Sequence, residues 1–385
     1  MSARWPTQQP TGVMVLADGT ALYGHGLGAI GQTIGEVCFN TAITGYQEIL
    51  TDPSYANQIV TFTFPHIGNV GTNGEDDETS NPASGAACGV IIREPITAPA
   101  NYRSDQHLDR WLVEQGIIGL SEVDTRAITN RIRTEGMFNA AIAHDPNGNF
   151  DLDALSQSVR DFAGLEGADL AAQVSRADPL DWSTGRWHWE HGFSEGAGKK
   201  HVVAIDFGAK QNILRCLVEA GCKVTLLPAN TDVGAAMKLD ADGYFLSNGP
   251  GDPAATAQNV MPLIEAILNT GKPVFGICLG HQLLGLALGA KTVKMAQGHH
   301  GANHPVQEIA TGKVEITSMN HGFAIDRSSL PEHIVETHVS LFDGTNCGIR
   351  HTERPIFSVQ HHPEASPGPQ DSHYLFDRFV AEMER

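Results

Sequence analysis

The sequence predicts an α/β chain in two parts: a C-terminal doubly wound mixed sheet over residues 201–385 and an N-terminal mixed α+β domain over residues 1–163, joined by a connecting segment, 164–200. Three observations carry that reading. From His201 onward, short apolar strand patterns alternate with stretches of helical spacing, which is how a sheet covered by helices on both faces is written in sequence. Before residue 163 strand patterns dominate. In the second half one strand runs into Gly276-Ile277-Cys278-Leu279-Gly280 and then into a leucine-rich helix, so a cysteine with glycine two residues to either side sits on a tight strand-to-helix turn, the pattern of a nucleophile elbow.

The N-terminal part opens with Val13–Leu16 and Ala21–Tyr23 around Asp18-Gly19, a hairpin signal. Residues 35–39 and 58–64 read as further strands. The polar stretch 44–55 between them ends in a turn at Asp52-Pro53-Ser54, and the pattern alone does not tell whether Ser54 binds anything. The acidic run 74–79 reads as a solvated loop, and Gly89–Ile92 as a short buried strand. Leu108–Gln115 and Thr125–Glu135 have helical spacing, the second with a cap at Asp124. Residues 138–143 return to strand and 151–161 form one helix. The poorly periodic stretch 164–200 carries Trp182, Trp187 and Trp189 and ends in glycines and two lysines; it reads as the connection, packed through its aromatics.

Then the alternation begins. Residues 201–205, 223–227, 243–246 and 273–277 are strands, and 211–220, 232–239, 260–268 and 283–288 are helices. Later segments at 314–317, 347–349 and 355–359 read as added antiparallel strands, with a closing helix over 371–384. Ligands in such sheets sit at the carboxyl ends of strands, where Cys278 and the loop after Leu246 both fall.

Composition narrows the partners. The formal net charge of −19 argues against nucleic acid and anionic membrane, which need a positive surface. No apolar run approaches the ~18 residues of a membrane span, and residues 1–12 lack the apolar segment of a signal peptide. Six scattered cysteines with no C-x-x-C pair fit a reducing cytoplasm.

The chemistry-bearing residues converge on the elbow. Cys278 precedes a helix N-terminus whose partial positive charge favours thiolate, and the N–H of Leu279 is free to face a developing oxyanion. A thiol nucleophile needs a base held by an orienting acceptor. Gln360-His361-His362-Pro363-Glu364 follows a strand end, and His362 and Glu364 lie two apart across a proline. The chain has 18 histidines, most of them expected to be solvated or merely hydrogen-bonded, so the pattern alone leaves His362 open and His361 in that ordinary class. The loop 247–253, with Gly249 and Gly251 around Pro250, suits a polar group or an oxyanion hole. It is no phosphate cradle, because no lysine follows at P-loop spacing. His299, His300 and His304 match no common zinc set, so no metal is expected. Asn320-His321-Gly322-Phe323 offers amide donors and an aromatic wall, a weak signal by itself.

With Gly276–Gln282, Asn248–Pro253 and His362–Glu364 in hand, the chain resembles the class I (triad) glutamine amidotransferases. Residues 45–55, 65–72, 206–210, 298–305 and 363–368 are similar to signatures of the small, glutaminase subunits of carbamoyl-phosphate synthases, and the similarity runs nearly end to end. The resemblance implies that Cys278 attacks the side-chain carbonyl of L-glutamine, His362 shuttles the proton and Glu364 orients His362. It implies that Ser54, Gly249, Gly251, Leu279, Gln282, Asn320, Gly322 and Phe323 hold the glutamine, with Ser54 reaching in from the N-terminal domain. It also implies a large synthetase subunit as partner, to which ammonia passes and in which ATP and Mg are used, so that this chain itself carries no cofactor. The alternatives are the glutaminase of another synthase, such as those for anthranilate or GMP, a stand-alone γ-glutamyl hydrolase, or a non-catalytic regulatory scaffold. The N-terminal domain argues against the first two and the intact triad against the last.

Overall fold

The computed structural model describes residues 9–81, 86–196 and 198–385, so most of the stretch read for a signal peptide lies outside the described residues. The chain divides into two compact units: Met1–Asn40, Asn57–Asp76 and Ala87–Gly164 form the first, and Thr41–Ala56, Asp77–Ala86 and Leu165–Arg385 form the second.

In the first unit, strands β1 (Gly12–Leu16), β2 (Ala21–Gly28), β3 (Gly31–Asn40), β4 (Gln58–Phe62), β5 (Gly89–Ile91), β6 (Ile118–Ser121) and β7 (Phe138–His144) close a barrel in the order β1-β2-β6-β5-β4-β3-β7. Alternation along the strands sorts the side chains. Met14, Val37, Ile59, Ile91, Leu120 and Ile142 share one core cluster, while Val13, Val15, Ala141 and Ala143 pack on Leu155 and Val159 of the helix Leu152–Asp161. The helices Leu108–Gln115 and Thr125–Glu135 stand where their spacing predicts, and the side chain of Asp124 accepts from the N–H of Ala127. Two features differ from the sequence reading. β6 is only four residues long with a glycine inside it, too short for a periodic signal. Closure comes from β3 pairing parallel with β4 and antiparallel with β7, a partner about a hundred residues away, which no local pattern displays.

The second unit contains a ten-stranded sheet. Its strands are β8 (Leu180–Trp182), β11 (Lys200–Asp206), β12 (Cys222–Pro228), β13 (Gly243–Leu246), β14 (Val274–Ile277), β15 (Thr292–Glu308), β16 (Val314–Ile325), β17 (Ile334–Ser340), β18 (Asn346–His351) and β19 (Ile356–Val359), in the order β16-β15-β17-β18-β19-β14-β13-β11-β12-β8. β9 (Thr184–His188) and β10 (Gly192–Glu195) make a separate hairpin. The central strands β12, β11, β13 and β14 are parallel, as the alternating pattern predicts. By contrast β19, expected from sequence as an added antiparallel strand, pairs parallel with β14 and antiparallel only with β18, so the parallel core gains a fifth strand from a distant part of the chain. Both faces are buried. Val203, Ile205, Tyr244, Leu246 and Val274 pack on the helices Pro253–Asn269 and Leu279–Ala287. Val202, Ala204, Phe245, Phe275 and Ile277 pack on Gln211–Glu219 and Tyr374–Glu382. The sheet is therefore doubly wound.

The stretch 164–200 is more structured than its weak periodicity suggests: β8 pairs antiparallel with β12 at the sheet edge, and Trp182 packs against the core there. The acidic run is not wholly solvated, since Glu78 is buried and forms part of the second unit.

Candidate active site

Cys278 directly follows β14, and its N–H bonds the Val359 carbonyl of β19 at 3.0 Å. Its backbone (φ 54°, ψ −105°) lies in a region that costs a residue with a side chain of order 1–3 kcal/mol. The glycines allow the turn. A Cβ on Gly280 would stand 2.2 Å from the Leu246 carbonyl oxygen, and one on Gly276 would stand 2.7 Å from that of Gly280. The helix Leu279–Ala287 therefore starts hard against β13, with Leu279 at its first position, where an N–H has no acceptor within the helix. The thiol is buried, with Sγ 3.4 Å from the Asn320 carbonyl.

The imidazole arrives from β19, which lies beside β14 in the sheet. The N–H of His362 bonds the Ser318 carbonyl at 2.9 Å, fixing the turn, and its Nδ1 lies 2.7 Å from Glu364 Oε1. That contact places the proton on Nδ1 in the neutral ring and leaves Nε2, which is buried, as the nitrogen free to interact with Cys278. A third group completes the array. Lys210, just past β11, puts Nζ 3.0 Å from the same Oε1 and donates to the carbonyls of Ala365 and Ser366 at 2.8 and 2.9 Å.

Burial alone would raise the Glu364 pKa, but Lys210 and His362 overcome it and hold the carboxyl at about 2. Burial alone would strip His362 of its proton, but Glu364 and then the neighbouring Cys278 lift it to about 10. The Lys210 ammonium is likewise kept charged, against burial, by Glu364, Glu78 and Asp52.

The other expected residues fall into two groups. Asp52 caps the 3-10 turn Pro53–Tyr55 by accepting from the N–H of Ser54 at 2.8 Å, and it also accepts from Asn320 Nδ2 at 3.2 Å. Asn248 Nδ2 donates to Ser54 Oγ at 2.8 Å. Ser54, Asn248 and Asn320 are thus tied together, and the Asn320 carbonyl brings Cys278 into the same cluster. The segment carrying Ser54 groups with the second unit, where the sequence reading had it reach in from the N-terminal domain. Gln282 Nε2 donates to the Phe323 carbonyl at 2.7 Å and to Gln360 Oε1 at 3.0 Å, which joins the elbow helix to β16. Gly322 lies within β16, which runs on through the stretch read from sequence as following a shorter strand. Gly249 and Gly251 occupy the loop after β13. A Cβ on Gly249 would meet the Phe207 carbonyl at 2.1 Å, and Gly251 has φ 92°. The Gly280 N–H bonds Ser247 O at 2.9 Å and ties that loop to the elbow.

Sequence reasoning missed Lys210, Asp52, Asn248 and Glu78 as individual members of the site. Glu78 accepts from the Asn212 N–H at 2.9 Å and from the Ser366 hydroxyl, close to the carbonyls that hold Lys210. The available signal was position: Lys210 and Asn248 follow the carboxyl ends of parallel strands, as Cys278 and His362 do. His299 Nε2 is taken by Asp343 at 2.8 Å. Among the described residues no three His, Cys, Asp or Glu side chains are placed to hold a metal ion.

Comparison with known proteins bears on what this arrangement belongs to. The family model for "Glutamine amidotransferase class-I" matches residues 203–382, and that for "Carbamoyl-phosphate synthase small chain, CPSase domain" matches residues 14–142. The carbamoyl phosphate synthase small chain of Mesorhizobium japonicum is 62% identical over 382 residues, which cover 99% of this chain and 96% of that one. The chain belongs to the carbamoyl phosphate synthase small-chain family. Small chains of Bradyrhizobium diazoefficiens and Ruegeria pomeroyi are each 60% identical, covering 98% and 99% of this chain and 96% and 98% of theirs. As a member of that family the chain carries a class-I glutamine amidotransferase domain on the doubly wound sheet, and the barrel corresponds to the family's CPSase domain.

Proposed function

We propose that this small chain hydrolyses L-glutamine to glutamate and ammonia and passes the ammonia to a large ATP- and Mg-using subunit, which forms carbamoyl phosphate from bicarbonate for arginine and pyrimidine biosynthesis. Cys278 Sγ attacks the side-chain carbonyl of glutamine. His362 takes the sulfur's proton and delivers it to the departing ammonia. Water then enters, His362 acts as base, and the thioester is cleaved to glutamate. Glu364 holds the ring by Nδ1 and stabilises the imidazolium, the part a carboxylate plays in a triad. The Leu279 N–H, with the loop at Gly249 and Gly251, faces the oxyanion, while Ser54, Gln282, Asn320, Gly322 and Phe323 position the amino acid.

The observation that carries this reading is the convergence, in one buried site, of a sterically enforced cysteine elbow and a His362–Glu364 pair from a neighbouring strand. The chain needs no cofactor of its own for this chemistry. A cytoplasmic location fits six cysteines that are all unpaired. Among the described residues no helix is long and apolar enough to cross a membrane.

The test is Cys278→Ser in the two-chain complex. Glutamine-dependent synthesis is expected to vanish while synthesis from added ammonia continues. Equal loss of both would overturn the assignment.

A further inference from the structure

A second concave site lies at the other end of the strands that carry the catalytic groups. A cavity of about 500 Å³ is bounded by residues preceding β14 and β19, by β17 and β18, and by the helix Tyr374–Glu382. Cys278 and His362 follow the carboxyl ends of β14 and β19, whereas Gly271, Pro273, Arg354 and Pro355 in the cavity wall precede their amino ends. This is not the glutamine pocket.

We propose that this cavity binds a small organic anion of the phosphate-ester class. In a chain of net charge −19, four arginines, Arg350, Arg354, Arg378 and Arg385, line a single cavity. Two carboxylates line it as well, but Glu382 is bonded by Arg385 at 2.9 Å, and Glu353 stands on an exposed turn. Arg378 is held by Glu308 at 2.9 Å. Arg354 donates to the Leu268 carbonyl, and among the described residues Arg350 has no acidic partner. Two guanidinium charges therefore remain without a counter-charge, and their planar forks match phosphate oxygens.

A buried orphan supplies the second, independent observation. His338 lines the cavity, is 1% exposed and has no hydrogen-bond partner at Nε2. Its Nδ1 lies 2.8 Å from the Thr337 hydroxyl, which can donate to it and so leave Nε2 as an N–H donor. A buried polar atom in a native protein is normally satisfied, and a ligand oxygen would satisfy this one. Burial, opposed by Glu308 and Glu315, holds the His338 pKa at about 4, so at neutral pH the ring enters no charge of its own. Pro273, Phe357 and Val359 form an apolar wall, so the site suits an ester with a hydrophobic or aromatic group better than a bare ion.

The test is titration calorimetry on the full chain with phenyl phosphate, inorganic phosphate and benzoate. Phenyl phosphate is expected to bind saturably with Kd below about 1 mM and more tightly than either of the others. Arg350→Gln, an exposed position with no partner to lose, is expected to weaken it roughly tenfold, and His338→Asn similarly. Cys278→Ser is expected to leave it unchanged, which separates this site from the amidotransferase reading. Absence of saturation by about 10 mM, tighter binding of benzoate, or the same affinity in Arg350→Gln and His338→Asn as in the parent would overturn the proposal.

Discussion

Replacing Lys210 with methionine strands a buried carboxylate, and the cost can be worked out from the geometry. The ammonium is 3% exposed and serves three acceptors: Glu364 Oε1 at 3.0 Å and the carbonyls of Ala365 and Ser366 at 2.8 and 2.9 Å. Methionine keeps the length but removes the charge and every donor. Breaking one half of a buried ion pair costs roughly 3–5 kcal/mol, because the remaining charge is left uncompensated. Glu364→Gln is milder. It leaves Lys210 in the field of Glu78 and Asp52. The double variant removes both charges and should cost less than the sum of the two, with a coupling of about 1.5–3 kcal/mol. Urea unfolding at neutral pH of the parent, the two single variants and the double variant, followed by tryptophan fluorescence, measures this directly. Additivity within about 0.5 kcal/mol would refute the pairing, and so would a larger loss for Glu364→Gln than for Lys210→Met.

Two further outcomes follow from the same geometry. Gly280→Ala drives a methyl to 2.2 Å from the Leu246 carbonyl, so it should destabilise by about 3 kcal/mol or more, whereas Gly74→Ala, with open space around it, should change stability by less than about 0.5 kcal/mol; denaturant midpoints compare them. The pH dependence has two arms. His362, lifted from 6.5 to about 10, contributes stability that is fully present below pH 6.5 and lost as pH rises through 10. Glu364, lowered from 4.5 to about 2, contributes stability present above pH 4.5 and lost as pH falls through 2. Calorimetric melting between pH 6.5 and 10 should therefore show a decline in the parent that His362→Asn flattens.

Much of this was legible in the residues because it was locally enforced. The helix Thr125–Glu135 carries its own cap at Asp124 and its own stop at Gly136, and β13 is a clean apolar run, so both stand at their predicted bounds. The elbow was legible because two carbonyl oxygens leave no room for side chains at Gly276 and Gly280. What escaped lacks a local signal. β15 runs for 17 residues through three histidines and two glycines at positive φ, with register shifts that erase alternation. The helix Tyr46–Thr51 begins after a left-handed Gly45 without a capping side chain, so nothing announces its start. Lys210 and Glu78 are buried charges, and residue type alone predicts that both face water. Only their long-range partners reverse that expectation.

The grouping of residues 41–56 and 77–86 with the large sheet has a consequence for engineering. Ser54 and Asp52 belong to one of these excursions and Glu78 to the other. An amidotransferase cut at the apparent linker and grafted onto another protein would keep Cys278, His362, Glu364 and Lys210. It would also lose the groups that hold Asn248 and Asn320 and that cap the helix beside Lys210. The front half of the gene thus encodes tendrils of the back half, and modular swaps that respect only the sequence midpoint should yield chains with the proposed triad in place and the hydrogen bonds around Asn248 and Asn320 lost.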